Sequence, residues 1–191
     1  MKPIIIGLAG EKGAGKESVV NVLRMILGRV DHIRSSDVLI ESAMSFGYKK
    51  NEISRAQLQE WAKQADKIFG KGSITKGVKK RLVESNLQIR IFDGIRWHTD
   101  VEMLRSLSNS FLIYVTADME IRWKRSQKRK EKAGEDKATL EQFAEEEKAA
   151  TEIYIKEIGR RADFTINNNG SPKKLEEQVR LFVSSKIKAN S

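Results

Sequence analysis

Hydrophobic positions in the first 27 residues change from a continuous run to a helical spacing. Residues 4–9 form an apolar run rich in isoleucine, which is typical of a buried parallel strand. A glycine-rich segment ending at Lys16 follows, and apolar residues then recur three and four positions apart up to Leu27. The pattern predicts a strand, a glycine-rich loop and a helix.

Short apolar runs and helical patterns alternate along the rest of the chain. Four later runs predict further strands, at residues 30–34, 89–94, 111–115 and 163–167. Helical spacing predicts helices at residues 38–46, 55–69, 74–85, about 119–132, 140–158 and from 172 onward. Strands that alternate with helices indicate an α/β fold with a parallel, layered sheet of at least five strands.

The glycine-rich loop has the spacing G-x-x-x-x-G-K, which is typical of a phosphate-binding loop between a strand and a helix. Glycines allow consecutive backbone N–H groups to curve around phosphates, and the helix N-terminus adds partial positive charge. An ordinary glycine-rich turn is the alternative, which the flanking strand and helix disfavour. The candidate nucleotide-binding residues are Gly10, Lys12, Gly13, Ala14, Gly15, Lys16, Glu17 and Ser18.

The position after the loop lysine departs from the usual motif. It normally holds a Ser or Thr that ligates Mg²⁺, but here it holds Glu17, and Ser18 comes one place later. A carboxylate in the first turn of a helix also complements the helix dipole, which is the simpler explanation for Glu17.

Asp93 lies at the end of the strand predicted at residues 89–94. In phosphate-loop proteins a carboxylate at such a strand end holds Mg²⁺ or its water ligands. A simple Asp-Gly turn is the alternative. Because a phosphate loop is already predicted, Asp93 is a candidate metal ligand, and Arg96 is close enough in sequence to face the same cleft.

Arg122, Arg125 and Arg129 are spaced three and four residues apart, so they share one helix face. Three guanidinium groups on one face could close over a triphosphate and stabilise charge on a transferring phosphoryl group. A solvated basic face is the alternative.

Asp37 likewise has two interpretations. It could cap the helix that follows residues 30–34, or it could orient an acceptor.

Composition limits the function classes. The 191 residues are 39% hydrophobic and 32% charged, without cysteine and without an apolar run of membrane-spanning length. The N-terminal run is too short for a signal peptide. We therefore expect one cytoplasmic domain without a membrane partner, as a monomer or homodimer. The net charge of +10 indicates a polyanionic partner, either a nucleotide or, less favoured, a nucleic acid.

Several segments resemble nucleotide kinases. GEKGAGKES resembles the phosphate loop of nucleoside monophosphate kinases, in which a non-hydroxyl residue and then Ser or Thr often follow the lysine. This resemblance implies that Ser18 is the hydroxyl ligand of Mg²⁺. Residues 92–104 resemble the D-x-x-R-x-x-x-[DE]-x-E segment of an adenylate-kinase-like group. Residues 162–179 are similar to the C-terminal segment of dephospho-CoA kinases, which implies that Asn167 to Gly170 lie near the adenine of ATP.

The resemblance implies one P-loop kinase domain over residues 1–191. Its core would be residues 1–34, 86–121 and 159–191, with a helical acceptor-binding insertion at about 35–85 and a helical lid at about 122–158. Asp37 matches a position near the acceptor hydroxyl in dephospho-CoA kinases, and Arg55 begins a segment similar to the acceptor helix of deoxynucleotide kinases. The implied substrate-binding residues are Asp37, Arg55 and Arg96.

These features together predict an ATP- and Mg²⁺-dependent phosphotransferase with a nucleotide-like acceptor, most simply a nucleoside or deoxynucleoside monophosphate. The implied catalytic residues are Lys16, Asp37, Arg122, Arg125 and Arg129. Dephospho-CoA kinase-like activity is one alternative, although no segment matches the P-L-L-x-E strand of those enzymes. A kinase for a non-nucleotide acceptor is another. A nucleotide-dependent switch or nucleic-acid-binding ATPase is the alternative of a different class.

Overall fold

The computed structural model describes residues 2–129, 138–148 and 152–188, and the side chains of Arg55, Ala56 and Arg129 fall outside that description. The strands are β1 (Ile4–Ala9), β2 (Val30–Arg34), β3 (Ile89–Ile95), β4 (Ser110–Thr116) and β5 (Phe164–Asn167). The α-helices are α1 (Lys16–Leu27), α2 (Ser35–Ser45), α3 (Arg55–Phe69), α4 (Ser73–Glu84), α5 (His98–Arg105), α6 (Met119–Arg129), α7 (Leu140–Glu146), α8 (Ile155–Arg160) and α9 (Pro172–Phe182).

The strands form one parallel sheet in the order β2-β3-β1-β4-β5. Alternate residues of β1 pack on opposite faces. Ile6 and Leu8 contact one buried cluster together with α1 and α9, whereas Ile5 and Ala9 contact a second cluster together with α4, α5 and α8. The sheet is therefore the middle of three layers, which confirms the predicted α/β fold with a five-stranded parallel sheet. Among the described residues, no helix is long and apolar enough to cross a membrane.

Parallel register brings several chain segments to one edge of the sheet. Leu8 of β1 and Arg34 of β2 are both paired with Asp93 of β3. The glycine-rich loop leaves β1 two residues after Leu8, so it begins beside the carboxyl ends of β2 and β3. This edge is where ligands bind in open α/β sheets.

The helices differ from the predictions at three places. The helix predicted at 38–46 begins at Ser35, because the Asp37 carboxylate accepts a hydrogen bond from the Arg34 backbone N–H at 3.1 Å and caps α2 from inside its first turn. Helix α5 was not predicted at all. Asp100 caps it in the same way, accepting hydrogen bonds from the backbone N–H groups of Arg96 and Trp97.

The single helix predicted at 140–158 is wrong, because α7 and α8 are separate helices with turn residues next to each. Phe143 of α7 is fully buried, with the Lys12 ammonium 5.2 Å from its ring centroid. Ile158 of α8 is instead buried against the sheet. The two helices therefore bury their apolar residues at different places. The role of α2 to α4 as an acceptor-binding insertion stays a prediction.

Candidate active site

The glycine-rich loop packs tightly between β4 and the turn after β5. A Cβ atom on Gly10 would lie 2.3 Å from the backbone oxygen of Val115. Gly15 is the N-cap of α1 with a φ of 98°, and a Cβ there would lie 2.2 Å from Nδ2 of Asn168. Both glycines are therefore needed for the loop to reach its observed shape.

We expect Gly15→Ala to destabilise the protein more than Gly72→Ala. Both glycines are left-handed N-caps, but a Cβ on Gly72 would meet nothing closer than 3.9 Å. Gly72→Ala should cost about 1–2 kcal/mol of unfolding free energy, because only the backbone strain is added. Gly15→Ala should cost at least about 1 kcal/mol more, because it also displaces the Asn168 hydrogen bond to the loop. Equal urea midpoints for the two variants would contradict the tight packing of the loop.

Lys16 and Asp93 lie near each other at the carboxyl end of the sheet. The Lys16 ammonium donates a hydrogen bond to the backbone oxygen of Gly10 at 2.7 Å, so the side chain folds back along the loop. Burial alone would raise the pKa of Asp93, but the hydrogen bond from His32 and the charge of Lys16 outweigh it and lower the pKa below its usual value. Asp93 is therefore an ionised carboxylate at neutral pH.

The environment of Asp93 includes two residues of β2. His32 Nε2 lies 3.1 Å from Asp93 Oδ2, and Arg34 Nε lies 4.0 Å from the same oxygen. The second oxygen of Asp93, Oδ1, is buried and has no hydrogen-bond partner among the described residues. Such an oxygen is suited to a bound cation.

Glu17 also reaches this group of residues. Its carboxylate pairs with the Arg34 guanidinium, and Glu17, His32 and Asp93 each offer a ligand atom within 4.8 Å of the others. Ser18, the other predicted metal ligand, is exposed on the first turn of α1. Sequence reasoning missed His32. The available signal was its position two residues before Arg34, which places both side chains on one face of β2.

Asn168 joins the turn after β5 to the phosphate loop. Its side-chain Nδ2 donates to the Ala14 backbone oxygen at 2.8 Å, and its backbone N–H donates to Thr116 at 2.7 Å. Asn168 is 6% exposed, whereas Asn167 and Gly170, the residues implied by the resemblance, are exposed. The segment predicted to lie near the adenine, residues 167–170, therefore contacts the phosphate loop through Asn168, which the sequence analysis did not single out.

Arg122 and Arg125 of α6 both lie beside the loop, but they differ in their partners. Arg122 is buried, donates to the backbone oxygens of Ala117 and Lys12, and pairs with Glu147. Arg125 donates through Nη2 to the Asn168 backbone oxygen at 2.8 Å. Its Nη1 is buried without a hydrogen-bond partner among the described residues. The Arg129 side chain lies outside the described residues.

Arg125 Nη1 is directed at the glycine-rich loop. It lies 3.9 Å from the position that a Cβ atom on Gly15 would occupy. Burial lowers the pKa of Arg125 from its ordinary value, as expected for a guanidinium group partly removed from water. An arginine N–H without a partner, next to a phosphate loop, is suited to a phosphate oxygen.

Two of the predicted acceptor residues have structural partners. Asp37 caps α2, and Arg96 pairs with the nearly buried carboxylate of Glu152. The Arg55 side chain lies outside the described residues. A cleft of about 300 Å³ opens beside the loop, bordered by residues that include Glu11, Glu147, Lys148, Glu152 and Lys156. The acceptor roles of Asp37, Arg55 and Arg96 stay predictions.

Glu11 fixes the loop to β4. The Tyr114 hydroxyl donates a hydrogen bond to its carboxylate, and burial together with that bond raises the pKa of Tyr114 to about 12. The hydroxyl group therefore stays protonated and remains a donor to Glu11. The other oxygen of Glu11 is buried without a hydrogen-bond partner in the described part of the chain.

A five-stranded parallel sheet with this loop at the end of its central strand defines a P-loop protein with a kinase-like fold. The model of the family described as AAA domain matches residues 6–153, so the chain belongs to the AAA domain family. A UPF0200 protein of Sulfurisphaera tokodaii is 28% identical over 167 residues, covering 87% of this chain and 88% of that protein. A UPF0200 protein of Staphylothermus marinus is 24% identical over 180 residues, covering 94% and 89%.

Solved structures show the same fold. TT1252 from Thermus thermophilus has a TM-score of 0.61 at 19% identity, covering 96% of this chain and 98% of that chain. Shikimate kinase from Bacteroides thetaiotaomicron has a TM-score of 0.62 at 13% identity, covering 95% and 97%. Shikimate kinase from Acinetobacter baumannii, solved with shikimate, has a TM-score of 0.58 at 16% identity, covering 99% and 95%. At these identities the likeness concerns the fold alone.

Proposed function

We propose that the protein is an ATP- and Mg²⁺-dependent phosphotransferase that moves the γ-phosphoryl group to a nucleoside or deoxynucleoside monophosphate. The bond between the γ-phosphorus and the β,γ-bridging oxygen breaks, an acceptor phosphate oxygen forms the new bond, and ADP leaves. The observation that carries the proposal is the Nη1 of Arg125, which lies beside Gly15 of the phosphate loop and has no hydrogen-bond partner among the described residues. A guanidinium group at this place would stabilise charge on the transferring group.

The residues at the sheet edge fit Mg²⁺. Asp93 is ionised, and its buried Oδ1 has no hydrogen-bond partner among the described residues. Asp93 and Ser18 would hold the ion or its water ligands, and the ion would neutralise charge on the β- and γ-phosphates. The loop amides and Lys16 would hold the same phosphates from the other side.

A monophosphate acceptor limits what the protein has to supply. Its phosphate oxygens are already nucleophilic, so positioning and exclusion of water matter more than a strong base. Arg96 and Arg55 would bind the acceptor phosphate, while Arg122, Arg125 and Arg129 would close the site. The cleft bordered by Glu152, the partner of Arg96, is where we place the acceptor.

Asp37→Asn separates two kinds of acceptor. Asparagine also caps helices, so it can keep the hydrogen bond from the Arg34 N–H while it removes the charge. For a phosphate acceptor, kcat should change by less than about threefold, because no base is required. A loss of about 10²-fold or more in kcat, with an unchanged unfolding midpoint, would indicate a hydroxyl acceptor that Asp37 deprotonates.

An ADP-release assay tests the proposal. Mg²⁺·ATP is mixed with the protein and with AMP, CMP, GMP, UMP, their deoxy forms, dephospho-CoA or shikimate. Release that depends on a monophosphate and yields the matching diphosphate supports the proposal. ADP release that depends only on dephospho-CoA or shikimate would show that the acceptor is that compound and not a nucleoside monophosphate. Slow release that ignores every acceptor but rises with added RNA contradicts a kinase and favours a nucleic-acid-binding ATPase.

A further inference from the structure

Glu17, His32 and Asp93 bring two carboxylates and one imidazole to one place, with ligand atoms that all lie within 4.8 Å of one another. We propose that these three residues form a binding site for one divalent transition-metal ion of the Zn²⁺ or Co²⁺ type. The site lies where the loop carries Glu17 in place of the usual hydroxyl ligand of Mg²⁺.

The fold assembles the three side chains from separate segments. His32 and Arg34 share one face of β2, because side chains two residues apart in a strand point the same way. Arg34 is paired with Asp93 in the parallel register, so Asp93 lies on that same face. Helix α1 covers this face and begins at Lys16, so its first turn brings Glu17 to the other two side chains.

Burial supplies an independent observation that points to a ligand. The side chains of His32 and Asp93 are 5% and 11% exposed. Asp93 Oδ2 accepts the contact from His32, but the buried Oδ1 has no hydrogen-bond partner among the described residues. A buried carboxylate oxygen without a partner costs free energy unless a cation or a donor fills the position.

The donor set favours a transition metal over Mg²⁺. Mg²⁺ is a hard cation that takes oxygen ligands, whereas imidazole nitrogen is suited to Zn²⁺ and related ions. Three protein ligands also leave at least one coordination position open, as in catalytic zinc sites. That position would be available to water or to a phosphate oxygen held by the adjacent loop.

Arg24 and Arg34 are cations that a metal ion would have to replace. Arg24 Nη1 lies 3.9 Å from Glu17 Oε1, and its Nη2 lies 3.5 Å from His32 Nδ1. The other cation is Arg34. Its guanidinium group pairs with Glu17, and its Nε lies 4.0 Å from Asp93. Glu17 and Arg34 are 37% and 39% exposed, so both side chains have room to move apart. His32 would exchange its hydrogen bond to Asp93 for the metal.

The inference goes beyond the proposed function and does not depend on it. The two share Asp93, so a transition-metal ion bound here would occupy the place that the proposed function gives to Mg²⁺, and metal binding is measured here without nucleotide or acceptor. A protein that binds Co²⁺ and transfers no phosphoryl group would contradict only the proposed function. A protein that transfers a phosphoryl group and binds no Co²⁺ would contradict only the inference.

The test is a Co²⁺ titration of the full chain after treatment with a chelator, followed by its visible absorption and by calorimetry. We expect one Co²⁺ ion per chain, with absorption bands typical of four or five ligands, and no displacement by a large excess of Mg²⁺. His32→Asn and Glu17→Gln should each weaken binding by at least about tenfold. Glu17 is partly exposed, so Glu17→Gln keeps the test valid if His32→Asn fails to fold.

His98→Asn is the matched control. The chain has two histidines, and His98 Nε2 likewise lies beside a carboxylate, 3.7 Å from Glu157. Its substitution should leave the Co²⁺ affinity unchanged. Binding that is lost in His98→Asn but kept in His32→Asn would overturn the proposal. So would the absence of one-to-one binding in the wild-type chain, or its competition by Mg²⁺ at equal concentration.

Discussion

Replacing Lys16 with Ala should abolish acceptor-dependent ADP release, with kcat/KM lower by at least about 10³-fold. Lys16 Nζ now donates to the Gly10 backbone oxygen at 2.7 Å, within the loop itself. A bound triphosphate would receive that ammonium group as a point charge on its outer phosphates. The ammonium group stabilises the phosphates more strongly as negative charge develops on the transferring group. The variant should therefore lose both affinity for ATP and turnover.

The matched control is Lys80→Ala, which removes an exposed lysine of α4 whose ammonium lies 3.9 Å from the Glu84 carboxylate. It should leave kcat and KM unchanged. Both variants should unfold within about 1 kcal/mol of the wild-type chain, because neither lysine is part of the apolar core. Lys16→Ala with turnover close to that of Lys80→Ala would show that the loop does not bind the reacting phosphates.

The fold could be predicted from sequence because its signals are local. The strand at residues 30–34 is found with the same bounds, and α3 runs from Arg55 to Phe69 as its apolar spacing indicated. The G-x-x-x-x-G-K spacing likewise located the loop, in which Gly13 and Gly15 have the positive φ that glycine adopts readily. Helix α5 was missed because its eight residues give too short a pattern for helical spacing to be recognised.

Much of the candidate site depends on contacts between residues far apart in sequence. The proximity of Glu17, His32 and Asp93 follows from strand register and from the position of α1, neither of which composition reveals. The basic face of α6 was predicted from spacing. The Arg122 guanidinium is already held by Glu147 and by backbone oxygens. Spacing could not predict these contacts, because Glu147 lies 25 residues away in sequence.

The acidic residues next to α6 have a defined role in the fold. Glu147 pairs with Arg122, and Glu146 pairs with Lys12 at 2.7 Å, so one ion pair holds the end of α7 against α6 and another holds it against the phosphate loop. Glu146 and Glu147 therefore do more than cover a solvated surface. Arg125 is the member of the basic face that keeps a buried N–H without a hydrogen-bond partner in the described part of the chain.

Arg125→Ala should therefore lower kcat by about 10²-fold or more, while the KM for ATP changes by less than about threefold. A group that acts mainly on charge developed in the transition state affects kcat more than ground-state binding. Arg125→Lys should recover only part of the loss, because an ammonium group keeps the charge without the forked pair of N–H donors. The test is to measure kcat and KM of the wild-type chain, Arg125→Ala and Arg125→Lys by steady-state kinetics, with the acceptor found in the ADP-release assay.

The free energy of unfolding of the variants distinguishes a role of Arg125 in phosphoryl transfer from a purely structural role. Arg125→Ala removes one hydrogen bond to the Asn168 backbone oxygen, which should cost about 1 kcal/mol of unfolding free energy. Arg180→Ala is the control, because Arg180 is an exposed residue of α9 that pairs with Glu176. If Arg125→Ala raised the KM for ATP and left kcat unchanged, Arg125 would bind the nucleotide equally well in the ground state and in the transition state. If neither constant changed, the basic face of α6 would have no part in phosphoryl transfer.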